Sequence, residues 1–117
     1  MTDLRLLSMA ADAMQYSYSP YSHFKVGAAL LCSDGSVYTG ANIENGAYSA
    51  TVCAERTAFF KAISEGKKQF TKIAIVGGNI EKPCYPCGVC RQVMSEFCDE
   101  NFEILLLKDG EIIKYTL

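Results

Sequence analysis

Positive charge is what this sequence most visibly lacks. Its 11 Lys and Arg are outnumbered by 13 Asp and Glu, for a net charge of −2. The longest like-charge run is Lys67-Lys68, which reads as a solvated helix end. Nucleic-acid binders carry a basic face, because neutralising phosphates drives that binding. None is visible here, so a small uncharged ligand fits better than DNA or RNA. No stretch approaches the roughly 20 apolar residues of a membrane-spanning helix. The N-terminus carries Asp3 and Arg5 without the apolar core of a secretory signal, so a reducing cytoplasm is expected. Repeats, linkers and low-complexity segments are absent. Gly77-Gly78 lacks the flanking spacing of a phosphate loop or dinucleotide fingerprint. Histidine occurs once, at His23.

What is present suits one domain over residues 1–117, half of them hydrophobic and enough for a real core. The six cysteines could suggest a disulfide scaffold, but in a reducing compartment clustered cysteines more often bind metal. Cys32 and Cys98 read as small core residues. Cys84 lies near the cluster and is weighed as a fourth ligand.

Apolar residues Leu4, Leu7, Ala11 and Met14 recur at helical spacing, predicting an amphipathic helix from residue 3 to about 16 capped by Thr2. A Ser/Tyr/Pro loop follows. Strands are predicted over 25–32 and 37–41, turned by Asp34-Gly35. A loop carries Asn42 to Thr51. A helix runs from near Cys53 to about Glu65, stopped by Gly66. A short buried strand is predicted over 73–76, a helix from Cys87 to about Cys98, and strands over 103–107 and 111–115 joined at Asp109-Gly110. This α-β-β-α-β-α-β-β order predicts an α/β fold with helices on the faces of a sheet. The short final turn makes the last strand antiparallel to its neighbour, since a parallel pair needs a crossover of about a dozen residues.

The chemistry concentrates in Cys53-Ala54-Glu55 and Pro86-Cys87-Gly88-Val89-Cys90. Cys87 and Cys90, three apart at a helix start, place both sulfurs on one face. Cys53 starts another helix, and helix N-termini favour thiolates. Three thiolate ligands leave a tetrahedral Zn²⁺ one open position, the mark of a catalytic site; structural zinc sites are closed by four. Glu55 supplies a carboxylate beside the metal, suited to carrying protons. A redox Cys-x-x-Cys pair would leave Cys-Ala-Glu unexplained. A capping role for Glu55 and a plain surface role for Arg56 are the simpler alternatives for those two residues.

Together with Asn42-Ile43-Glu44-Asn45 and Cys87-Gly88-Val89-Cys90-Arg91-Gln92-Val93, these motifs resemble the small zinc-dependent cytidine deaminases that act on free nucleosides. The resemblance runs from Tyr21 to about Tyr115. It implies a three-layer α-β-α fold with a mixed five-stranded sheet and an antiparallel last strand. It implies one zinc on Cys53, Cys87 and Cys90, with Glu55 as proton shuttle and Arg56 donating to the cysteine sulfurs. It further implies that Asn42 and Glu44 hold the ribose hydroxyls and Phe24 packs on the pyrimidine. The Ala54 N–H would serve the base, the Tyr85 carbonyl the substrate amine, and Tyr48 the site of a neighbouring subunit in a homotetramer working in pyrimidine salvage. His23 does not fill the ligand position of histidine-type deaminases, because Cys53 does, and is expected to be structural or exposed. The family continues past its last strand into a tail with Leu-Leu-Pro and a closing aromatic. This sequence stops at Tyr115-Thr116-Leu117, so that aromatic is expected to have no counterpart. A blasticidin-S-type deaminase is the rival enzyme, against which Asn42-x-Glu44 and Arg56 argue. A non-catalytic zinc-binding relative is the rival from another class, against which Glu55 argues.

Overall fold

A computed structural model describes residues 1–78 and 82–117. The elements are α1 (Asp3–Ala13), β1 (Val26–Cys32), β2 (Val37–Ala41), α2 (Ala54–Ser64), β3 (Phe70–Gly77), α3 (Gly88–Phe97), β4 (Glu103–Lys108) and β5 (Glu111–Thr116). The sheet order is β2-β1-β3-β4-β5. The β3–β4 pair is parallel and the others are antiparallel. Each choice has a local cause. Between β3 and β4 the chain has room for α3 as a crossover, whereas β4 and β5 are joined only by Asp109 and Gly110. Both turn residues have positive φ, 51° and 80°, the geometry of a tight hairpin turn that favours Asp-Gly.

Strand β1 is buried along its whole length, as expected of a central strand covered on both faces. Its side chains alternate between two cores. Ala28, Leu30 and Cys32 join Ile73, Ile75, Ile104 and Leu106 beneath α2 and α3. Ala29 and Leu31 join Ala74, Val76 and Leu105 beneath α1. This is the three-layer arrangement, with one helix on one face and two on the other. Phe59 of α2 anchors the two-helix side, its ring 5.1 Å edge-on from Phe70 and 6.0 Å from Phe102. Burying one such side chain contributes about 1.5–3 kcal/mol. Cys32 is buried and Cys98 half-buried, both within this core and both free.

Several boundaries differ from the sequence expectation. Helix α1 ends at Ala13 and tightens into a 3-10 turn over Met14–Tyr16. Its buried stripe is Leu6, Leu7, Ala10 and Ala13, while Leu4 is exposed. Two stripes have helical spacing here, and the one rich in alanine wins because α1 sits almost on the strand. A Cβ on Gly27 would fall 1.9 Å from the Ala10 carbonyl oxygen. Helix α2 approaches β2 in the same way at Gly40, where a Cβ would lie 2.6 Å from Ala54 O. Strand β3 runs from Phe70 to Gly77, longer than the apolar run over 73–76. The added residues are held by pairing, Phe70 with Cys32 and Lys72 with Glu103.

The register then decides where loops meet. Gly27 pairs with Ala41 and Val26 with Gly77. The start of β1 therefore lies between the ends of β2 and β3. Residues 17–25, the segment after β2 and the segment before α3 all gather at that edge of the sheet.

At the opposite, α1-covered face, Asp3 ties the helix start to the sheet. It accepts from Lys72 Nζ at 2.9 Å and Lys114 Nζ at 2.8 Å, and Lys72 also meets Glu103 at 3.2 Å. These bonds, first that from Lys114 and then that from Lys72, hold the Asp3 carboxyl below its usual range. A depressed folded pKa contributes stability above the unfolded pKa of about 4, and the contribution is lost as pH falls through the folded value. Asp3→Asn should therefore lower stability at pH 7 by about 0.5–1 kcal/mol, and the deficit should close below about pH 3. Urea unfolding at both pH values checks this; an equal deficit at both would assign the effect to packing.

Candidate active site

Two helix N-termini carry the thiols. Cys53 is the N-cap of α2 and Cys87 the N-cap of α3, with Cys90 on the first turn of α3. The Cys87 Sγ accepts from the Cys90 N–H at 3.5 Å, the capping bond that a serine would otherwise make. The Sγ atoms of Cys53 and Cys87 are 3.6 Å apart, and those of Cys87 and Cys90 are 3.4 Å apart. All three lie within 4.8 Å of one another. A tetrahedral ion with Zn–S bonds of about 2.3 Å would set its sulfurs about 3.8 Å apart, so the cluster fits zinc with small adjustment. Cys84 does not belong to this group. It sits against Gly77, and burial pushes its thiol up to about 11.

The thiols are electrostatically unequal. Hydrogen bonding from the Cys90 thiol, helped by Arg56, pulls Cys53 down to about 5. Cys90, the donor in that contact and buried, is pushed up. Arg56 Nη2 donates to Cys53 Sγ at 3.4 Å. Its Nε is buried without a hydrogen-bond partner among the described residues. A guanidinium held against sulfur favours the thiolate.

Glu55 is the buried charged side chain of the described chain, only 4% exposed. Cys53 is the cap, so Glu55 stands at the second helical position. That is one short of the place a capping-box glutamate occupies. Burial pushes its carboxyl up to about 7, and the neighbouring Cys53 adds to the rise. A carboxyl in that range both accepts and releases protons near neutral pH.

These groups open into a cleft of about 360 Å³, within the range of small-molecule sites. Cys53, Ala54, Glu55 and Cys87 line one end. Phe24, Asn42, Glu44, Tyr48 and Tyr85 are among the residues lining the rest, together with Ser22 and Cys84. Cys90 and Arg56 are outside the cleft wall, with Arg56 against the Cys53 sulfur. Phe24 offers a half-exposed ring, 46% accessible, and Tyr48 is 89% exposed at the rim. Tyr85 packs edge-on against Tyr115, with their hydroxyls 3.1 Å apart.

The loop residues are held by side chains as well as by isolated backbone bridges of Ile43 with Tyr18 and Val52. Asn42 Oδ1 accepts from Val26 N–H at 2.9 Å and Ser17 Oγ at 2.5 Å, and its Nδ2 donates to Phe24 O at 2.8 Å. One N–H of the amide is then left over. Glu44 Oε1 accepts from the N–H groups of Tyr21 at 2.9 Å and Ser22 at 3.1 Å, and Oε2 accepts from Ser22 Oγ. The Ser22 hydroxyl, followed by the backbone donors, lowers the Glu44 carboxyl below its ordinary value. His23 is exposed and sits in the left-handed region, φ 59°, a conformation of the kind stored at functional sites. Ser17, Ser22 and the His23 conformation escaped the sequence reading; a Ser/Tyr/Pro loop carries no spacing that singles them out.

A buried carboxylate beside three converging thiols defines a metal-assisted hydrolytic site. Residues 1–106 match the model for the cytidine and deoxycytidylate deaminase zinc-binding region. The chain is 52% identical over 114 residues to a cytidine deaminase of Sporosarcina psychrophila, spanning 97% of this chain and 83% of that protein. A 1.6 Å crystal structure of cytidine deaminase from Burkholderia pseudomallei superposes with a TM-score of 0.92 at 43% identity, covering 99% of this chain and 93% of that one. A blasticidin-S deaminase of Bacillus cereus is more distant, 30% identical over 122 residues and covering 98% of this chain and 86% of that protein. The chain belongs to the cytidine and deoxycytidylate deaminase family, and Cys53, Cys87 and Cys90 form a group that could hold its metal ion.

Metal analysis of the purified protein should give about one zinc per chain. Because the ion would tie α2 to α3, stripping it with a chelator should lower the unfolding temperature, and Cys87→Ala should abolish zinc retention. Full zinc occupancy in Cys87→Ala would remove Cys87 from the ligand set.

Proposed function

We propose that this chain hydrolyses cytidine and 2′-deoxycytidine to uridine and 2′-deoxyuridine, releasing ammonia. The observation that carries the reading is Glu55, a buried carboxyl poised near neutral pH beside three thiols on two helix N-termini. Cys53, Cys87 and Cys90 would hold the zinc, which would supply the Lewis acidity that makes water a nucleophile at neutral pH.

The chain's own residues then have separable tasks. Phe24 stacks on the pyrimidine. Asn42 offers its spare N–H, and ionised Glu44 its spare acceptor site, to the sugar hydroxyls. The Ala54 N–H, at the first position of α2 where helix donors lack intrahelical partners, serves the base. The Tyr85 carbonyl accepts from the substrate amine. Glu55 takes a proton from the attacking water and delivers it to the ring nitrogen N3; it then takes the remaining proton from the hydroxyl added at C4 and passes it to the amine, which leaves as ammonia while C4=O forms. Arg56 offsets the excess negative charge of three thiolates on one dication.

Ammonia and uridine release from cytidine, compared between wild type and Glu55→Gln, is the test. The variant should keep zinc and fold but lose roughly 10²–10⁴-fold in kcat, because glutamine accepts a hydrogen bond yet carries no proton. Retention of more than about a tenth of kcat would remove Glu55 from the proton path.

CMP and cytosine in a single strand should be poor substrates. An ionised Glu44 beside the sugar opposes a 5′-phosphate, and an acidic chain gives nothing to offset a polyanion. Equal kcat/KM for CMP and cytidine would overturn the nucleoside reading while leaving the zinc chemistry standing.

The same reading places the chain in the cytoplasm, in pyrimidine salvage, as a homotetramer with shared sites. The support for shared sites is exposed aromatic surface beside the cleft. Tyr21 lies beside Gly46 and lines, with Tyr48, a pocket that shares Ser22 and Glu44 with the cleft. Both rings are more than half exposed. Exposed apolar surface of this kind marks association sites. None of the helices described is long and apolar enough to cross a membrane.

A further inference from the structure

The 17–24 segment holds a hydroxyl with no part in the chemistry above, and its hydrogen-bond direction is fixed by its neighbours. Ser22 Oγ accepts from the Phe24 N–H at 3.0 Å. That group can only donate, so the serine's own hydrogen is free for Glu44. Glu44 is ionised and can only accept, and Ser22 Oγ contacts its Oε2. The result is a directed chain, Phe24 N–H to Ser22 O–H to Glu44 carboxylate. Phe24 is held at its other end as well, its carbonyl accepting from Asn42 Nδ2 at 2.8 Å. Both polar groups of the Phe24 backbone are thus set by side chains that also face the sugar end of the cleft.

A carboxylate offers about four lone-pair sites. Oε1 receives two backbone donors, from Tyr21 and Ser22. Oε2 receives the Ser22 hydroxyl and keeps one site open. The left-handed backbone at His23, with its N–H donating to Ser19 O at 3.0 Å, turns the chain sharply enough for Ser22 Oγ to reach residues on both sides.

We propose that Ser22 is a positioning residue for nucleoside recognition: its hydroxyl orients Glu44 so that one Oε2 acceptor site meets a sugar hydroxyl, and fixes the Phe24 ring relative to it. Sugar binding and base stacking are thereby coupled through one side chain. The proposal rests on the nucleoside reading and deepens it, naming what makes the cleft prefer a hydroxyl-bearing sugar. Removing the hydroxyl strands the Phe24 N–H and lets Glu44 swing toward its remaining backbone donors.

The experiment compares cytidine with 2′,3′-dideoxycytidine, which lacks both ring hydroxyls, in wild type, Ser22→Ala, Ser22→Thr and Glu44→Gln. In Ser22→Ala, kcat/KM for cytidine should fall roughly ten-fold, the size of one hydrogen bond to a charged group. The loss should fall mainly on KM. For the dideoxy substrate the fall should be about two-fold or less, because the contact that Ser22 organises is not made. Threonine keeps the hydroxyl and should restore most of the difference. Ser22→Cys keeps the shape with a weaker donor and carries the same comparison if the alanine variant does not fold. Equal losses on both substrates, or no loss on cytidine, would overturn the proposal and leave Ser22 an ordinary loop residue. The nucleoside reading fails by a different signature: wild type and Glu44→Gln would then show no preference for cytidine over the dideoxy compound, and the proposal would fall with it.

Discussion

Everything at the site depends on the antiparallel register of β1 with both its neighbours. Val26 opposite Gly77, and Gly27 opposite Ala41, bring one strand start and two strand ends to a single edge. The chain leaving β2 there leads to the N-terminus of α2, and the chain leaving β3 leads to that of α3. The helices lie on the same face over a shared core, so their N-termini converge. A one-residue slip of β1 would send its side chains to the opposite faces and separate the two strand ends that deliver Cys53 and Cys87. Gly27 and Gly40 protect this register from a different direction, since each admits a helix backbone closer than any side chain would.

Convergent helix N-termini solve an electrostatic problem and create another. Their partial positive charge favours the three thiolates, and Arg56 adds a full charge against Cys53. With a dication the ligand set still carries one net negative charge, which opposes ionisation of any further group nearby. Glu55 sits in that field, buried, and both burial and the Cys53 charge raise its pKa. The same surroundings therefore push one group toward its anion and a neighbour toward its protonated form. Separation of that kind is how adjacent acids come to hold different roles.

Much of this was legible in the sequence, for stated reasons. Helix α3 and its zinc face could be read because Cys-x-x-Cys at a helix start has one geometric meaning. The hairpin of β4 and β5 could be read because Asp-Gly fits a turn with two positive φ values. The apolar face of α1 could not, because Leu4, Leu7, Ala11 and Leu6, Leu7, Ala10 have equal periodicity. Only the close approach at Gly27 separates them. Strand β3 extends past its apolar run because its ends are held by partners distant in sequence. At the site, thiols and carboxylates announce themselves by type and spacing. Ser17 and Ser22 do not, since a serine in a Ser/Tyr/Pro loop gains meaning only from which backbone group it meets.

That contrast reflects two ways of building one cleft. The metal end stands on helices whose caps are two of the three candidate ligands, Cys53 and Cys87, so its precision comes from secondary structure. The opposite end lies on irregular backbone, where isolated bridges of Ile43 with Tyr18 and Val52 satisfy only some of the peptide groups. Buried or half-buried backbone polar groups still require partners, and here side chains supply them. Asn42 takes the Val26 N–H and the Phe24 carbonyl, Glu44 the Tyr21 and Ser22 N–H groups, and Ser22 the Phe24 N–H. Asn42 and Glu44 thus make the loop's shape with most of their hydrogen-bonding capacity and present the remainder to the cleft. If Asn42 and Glu44 contact the sugar as proposed, folding of this loop and recognition by it are not separable at those residues. Ser22, which neither lines the metal nor carries charge, offers a place where the orientation of Glu44 can be altered while Asn42 and Glu44 stay in the chain.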